Sequence, residues 1–189
     1  MPARIALTLL AIWLLSGGSA AGQDAGVQGR RYSVKASDVI VPPGVEVGRY
    51  RRIIQPFGGW TLICDENLAA MQKVCNVSQT IVNSEQKMVF SWSLAATETG
   101  QPMMILRTTP DLAGDRVTIG FADTQEALPV TMEGCDETVC VGLAPVAPVL
   151  RRHIVAGASA EVRFGTRNGA VVLIEAPLAG LASALEAID

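Results

Sequence analysis

The chain has 189 residues, 15 of them basic and 18 acidic, for a formal net charge of −3, and 49% are hydrophobic. That length suits one globular body with a leader and an arm. The body lacks the basic stripe of a nucleic-acid binder, so that function class is not expected.

The N-terminus has the layout of a secretory signal. Arg4 is the only charge before Asp24, Ile5 to Leu15 is apolar apart from Thr8, and Ser16 to Ala21 are small. Positive, apolar and then small is what a signal peptidase reads. The apolar run is too short for a membrane anchor, which takes about 20 residues. Residues 1–22 are therefore expected to be a signal peptide, cleaved after Ala20, Ala21 or Gly22, with no lipid-anchored start and no later membrane span. The expected location is the periplasm, the cell envelope or outside the cell.

Residues 23–56 read as a polar, mildly basic arm. Gln23 to Pro43 is polar and Gly-rich, Pro42 and Pro43 stiffen its end, and Gly44 and Gly48 interrupt the next stretch. The body should begin between Pro42 and Phe57, and its boundary is set at 57–189. Gln23 to Pro56 carries six basic and three acidic residues, whereas Phe57 to the end carries eight basic and 15 acidic. A basic arm thus precedes an acidic body. Arg49, Arg51 and Arg52 are its candidate partner contact, able to meet either the body or an anionic partner.

Beyond residue 57 the dominant period is two. Trp60, Leu62 and Cys64 share one strand face. Met88, Phe90, Trp92 and Leu94 alternate with Val89, Ser91 and Ser93. Met103 to Leu106 comes after a Gly100-Gln101-Pro102 turn. Val117, Ile119 and Phe121 alternate, as do Leu128, Val130 and Met132, where Pro129 suggests an edge strand. Val139 to Leu143 carries Cys140. Glu161 to Phe164 and Val171 to Ile174 flank Arg167-Asn168-Gly169, a hairpin signal. Val149 to Ile154 suits a short helix after Pro148. Leu178, Leu181, Leu185 and Ile188 recur at helical spacing after Pro177. The fold class expected is mostly β, an antiparallel sandwich or barrel-like domain with a short C-terminal helix.

Four cysteines, Cys64, Cys75, Cys135 and Cys140, suggest two bridges in an exported chain. Of three pairings, the local one, Cys64–Cys75 and Cys135–Cys140, is favoured because near neighbours meet often in the unfolded chain. The spacing suits neither a zinc site nor a Cys-x-x-Cys redox pair.

The sequence offers little for catalysis. His153 is the sole histidine, sits after Arg151 and Arg152, and reads as a surface residue rather than a base. There is no nucleophile elbow and no phosphate-binding glycine loop. No catalytic residue, cofactor or metal is expected. Asp65 and Glu66 adjoin Cys64, while Glu133, Asp136 and Glu137 surround Cys135. Such carboxylates could serve a glycosidase, but their ordinary role beside bridged loops is to face solvent. Asn76-Val77-Ser78 matches a glycosylation acceptor, relevant only to a eukaryotic secretory route. Trp60, Phe90 and Trp92 are expected in the core rather than as a binding platform.

Phe57-Gly58-Gly59-Trp60-Thr61-Leu62-Ile63-Cys64 resembles the invasion-associated locus B family, taken with Cys75, Gln79, Trp92-Ser93-Leu94, Cys135…Cys140 and Pro177-Leu178-Ala179-Gly180-Leu181…Ala184-Leu185. The family usually places an acid where Gly59 stands. The resemblance covers about Phe57 to Ile188. It implies an exported β-rich protein of Gram-negative bacteria, with a part in entering host cells for some members, and brings no catalytic residue. The expected function is a disulfide-stapled binding or accessory module of the envelope, meeting an unknown protein or envelope component. The alternatives are an envelope-polymer hydrolase working through surface carboxylates and a structural envelope protein.

Overall fold

The computed structural model describes residues 35, 37, 39–96 and 100–188. The expected signal peptide and residues 23–34 of the arm lie outside the described residues. Two units are distinguished, Met1–Ile40 and Val41–Asp189. In the first, the Val39 N–H donates to Ser37 Oγ. The second is the body.

Among the described residues the body contains ten strands: β1 Tyr50–Phe57, β2 Trp60–Asn67, β3 Gln72–Val82, β4 Met88–Ala96, β5 Pro102–Thr108, β6 Arg116–Phe121, β7 Ala127–Cys135, β8 Cys140–Pro145, β9 Ser159–Gly165 and β10 Val171–Pro177. Helix α1, Pro148–Ala156, lies between β8 and β9, and α2, Leu181–Glu186, comes after β10. The strands form one sheet in the order β1-β2-β3-β4-β5-β8-β7-β6-β9-β10. Every pairing is antiparallel.

Period-two patterning explains the sheet. Along β2, Trp60, Leu62, Cys64 and Glu66 are buried while Thr61, Ile63, Asp65 and Asn67 are half-buried. The inward side chains of β2, β4, β5, β6, β9 and β10 meet in one core with Leu150, Ile154, Leu178 and Leu181. Trp60, Phe90 and Trp92 lie within it, fully buried. Pro148 opens α1, where the missing N–H costs nothing. Gly157 closes it in the left-handed conformation, its N–H turned back on the last carbonyls. The expected hairpin is present: Asn168 Oδ1 accepts from the Ala170 N–H and the Thr166 hydroxyl, and Gly169 takes the positive φ.

Three sequence expectations need correction. Tyr50–Phe57, assigned to the arm, is the first strand: all eight residues pair with β2, Tyr50 opposite Asn67 through to Phe57 opposite Trp60. The body therefore begins before residue 57. Its alternation is hidden because Ile54 points out, while Arg51, itself exposed, stands on the same strand face as Ile53 and Phe57. β7 is not an edge strand, since it pairs with β6 and β8. Pro129 is accommodated because its stretch pairs with β6, opposite Thr118, while β8 joins only from Met132 onward. The proline thus stands where only one neighbour flanks the strand. Finally, His153 is buried at 6% exposure, its ring stacked on Phe121 with centroids 3.9 Å apart and Nε2 3.6 Å from Asp123 Oδ1. The two preceding arginines project outward, but the helical turn carries His153 to the face that packs on the sheet.

Candidate functional site

Each bridge joins directly opposed residues on neighbouring strands. Cys64–Cys75 ties β2 to β3, and Cys135–Cys140 ties β7 to β8. Their Cα atoms lie 4.1 and 3.9 Å apart. The two bridges do not share a site.

The residues that carried the resemblance do converge, on a buried latch. The curl of the sheet brings the end of β10 across to β2 and β3. The Pro177 carbonyl accepts from Trp60 Nε1 at 3.1 Å and from Gln79 Nε2 at 3.0 Å. Gln79 Oε1 accepts from Trp92 Nε1 at 3.0 Å. Three strands are thereby linked through one buried amide, with each polar group satisfied. The Trp60 and Trp92 rings meet with centroids 5.4 Å apart. Beside them Gly180, at φ +89°, lies so close to Phe57 that an added Cβ would come within 2.3 Å of the Phe57 carbonyl oxygen. At Gly59 an added Cβ would stand 3.1 Å from Gln79 Nε2. These residues hold the fold and present no reactive group to solvent.

The three candidate arginines separate. Period two sends Arg51 and Arg52 to opposite faces of β1, and each meets the carboxylate directly across on β2. Arg51 pairs with Glu66, which is only 9% exposed. Glu66 therefore does not face solvent as expected: β2 turns it inward and Arg51 neutralises it. Arg52 grips Asp65 in a fork, Nε at 2.6 Å and Nη2 at 3.0 Å, and Tyr50 donates its hydroxyl to the same carboxylate. Arg52 first, then Tyr50, hold the Asp65 carboxyl below its ordinary range, against the opposing effect of burial. The bond to Asp65 raises the Tyr50 hydroxyl. Arg49 makes no ion pair among the described residues; its carbonyl accepts from the Leu68 N–H.

In the second bridged loop, Asp136 Oδ1 accepts from the Thr138 hydroxyl and from the N–H groups of Thr138 and Val139. These bonds, the Thr138 hydroxyl foremost, lower its pKa. It is a turn-former, and its environment runs opposite to that of a general acid, whose pKa must be raised. Among the described residues no group of three or more potential metal ligands occurs, and no helix is long and apolar enough to cross a membrane.

The feature best suited to a ligand is one that sequence reading missed. A groove of about 810 Å³ opens between the ends of β3 and β4 and the two helices. Val74, Leu94, Val146, Ile154, Val155 and Leu185 make it mostly apolar, and among the described residues Lys73, Arg151 and Glu186 are its ionisable ones. Val74 and Val155 are 72% and 83% exposed. These belong to elements distant in sequence, and β3 itself was not foreseen, because its core face includes polar Gln79 while Val74 points out. Only the exposed apolar side chains could have signalled it.

Comparison with known proteins agrees with this architecture. The crystal structure of invasion associated protein B from Bartonella henselae superposes with a TM-score of 0.61 at 14% identity, covering 72% of this chain and 95% of that one. At that identity the likeness is one of fold. No curated protein matches the sequence. Residues 60–189 match the family model described as invasion associated locus B (IalB) protein. That span is well over half of the chain and contains the whole latch beyond β1, so the chain belongs to the IalB family.

Proposed function

We propose that this chain works outside the cytoplasm as a binding module of the bacterial envelope, acting by contact through a rigid, doubly bridged body. The observation that carries this reading is the apolar groove with its exposed lips, Val74 and Val155, on a scaffold whose best-placed carboxylates are already engaged. Exposed apolar side chains at a concave site are what a binding surface offers. Two bridges support an oxidising compartment. The names of the family and of the Bartonella relative support a part in host-cell invasion. The hydrolase alternative gains nothing from Asp65 and Asp136, whose pKa values are lowered rather than raised.

The test is capture from envelope and host-membrane extracts by the exported chain, by Val155→Asp and by a joint Arg49, Arg51 and Arg52 to Ala variant. Val155→Asp should lose the captured component. The triple variant should loosen β1 and keep it. Equal capture by all three would place binding elsewhere, with the Glu133 to Val141 loop the next surface to examine.

A further inference from the structure

Resting on that reading, we infer that the groove is a site for a single-chain anionic amphiphile, a long-chain fatty acid being the simplest. Its size falls within the roughly 300–1,000 Å³ of small-molecule sites. Fifteen residues line it, fewer than the roughly 20–30 a side of a standard protein interface. The walls come from four directions: Val74 on β3, Leu94 on β4, Ile154 and Val155 on α1, and Leu185 on α2. Such walls suit an extended hydrocarbon chain, which asks for apolar contact along its length and no hydrogen bonds.

Charge specifies the other end of the ligand. From Phe57 onward the chain has eight basic and 15 acidic residues. Among the described residues that line the groove the balance reverses, to Lys73 and Arg151 against Glu186. The cations stand on separate walls, β3 and α1. Lys73 Nζ donates to the Ile188 carbonyl, which holds the stretch after α2 beside the groove. Arg151 is exposed on α1 and takes part in no ion pair among the described residues. A carboxylate on a chain lying in the groove is the complement of that pair of cations.

The probe is 11-(dansylamino)undecanoic acid, titrated into the exported chain and monitored by dansyl emission. The expected result is saturable binding to one site per chain, reversed by palmitate. Removing a fully buried methylene weakens binding about fourfold. In a groove open on one side, laurate should still compete at least tenfold less well than palmitate. Arg151→Glu should weaken competition by palmitate about tenfold and leave competition by uncharged hexadecanol unchanged. Val155→Asp, at an exposed position, should weaken both without lowering the melting temperature. No saturable binding, no dependence on chain length, or full binding by Val155→Asp would each overturn the inference. So would co-sedimentation with dioleoylphosphatidylglycerol vesicles in the absence of competition by palmitate, which would make the groove a bilayer contact. Should the probe fail while extract capture still depends on Val155, the binding-module reading survives and only the amphiphile is lost.

Discussion

Replacing Gly180 with alanine tests the latch where it is tightest. Gly180 has φ +89°, and a Cβ there would lie 2.3 Å from the Phe57 carbonyl oxygen and 3.0 Å from its carbon. Two costs combine. An L-residue in the left-handed region loses about 1–2 kcal/mol. Forcing Phe57 away from the turn between β10 and α2 adds the penalty of overpacking, about 1–3 kcal/mol. Gly180→Ala should therefore lose about 2–5 kcal/mol. Gly169→Ala is the control, because its φ is +84° but nothing lies within 4 Å of the added atom. It should lose only the conformational part, about 1–2 kcal/mol. The assay is urea unfolding of both variants with bridges intact, read by the emission of Trp60 and Trp92, which the core buries completely. Equal losses for the two variants, or a Gly180→Ala midpoint at the wild-type value, would refute the close approach and with it the account of how the turn after β10 packs on Phe57.

Other predictions concern single interactions. Gln79→Leu keeps much of the volume but strands the Trp92 N–H, and should cost about 1–3 kcal/mol in the same assay. Cys64→Ser should lower stability by about 2–5 kcal/mol, and a non-reducing peptide map should recover Cys64 joined to Cys75 rather than to Cys135 or Cys140. Asp65 has a folded pKa below its ordinary 3.8, so its contribution is present above that value and lost as pH falls through the lower one. Asp65→Asn should therefore be less stable than wild type at neutral pH, by less than ~1 kcal/mol because the pair is over a third exposed, with the gap closing in acid.

Much of the fold is legible in the chain because period-two alternation is a local property. Met88 to Leu94, Val117 to Phe121 and the Asn168-Gly169 hairpin each announce themselves within ten residues. The residues that carry the family resemblance are scattered along the chain, and folding brings Phe57, Trp60, Gln79 and Gly180 together at one latch. β1 and β3 escape because their inward faces include Arg51 and Gln79, polar residues whose partners, Glu66 and the pair Trp92 and Pro177, lie elsewhere in the sequence. Likewise, three arginines close in sequence look like one patch, and only pairing with β2 shows that Arg51 and Arg52 face opposite ways, each neutralised by its neighbour.

Residue type and near neighbours are enough for the alternating strands, the hairpin and the cysteine content. That the strands make one curled sheet depends on pairings between segments far apart in the chain. The tertiary structure alone buries His153 against Phe121 and assembles the groove between the sheet and the two helices. The reason is that the groove's walls, from Lys73 to Ile188, are more than a hundred residues apart and become a surface only when sheet and helices pack.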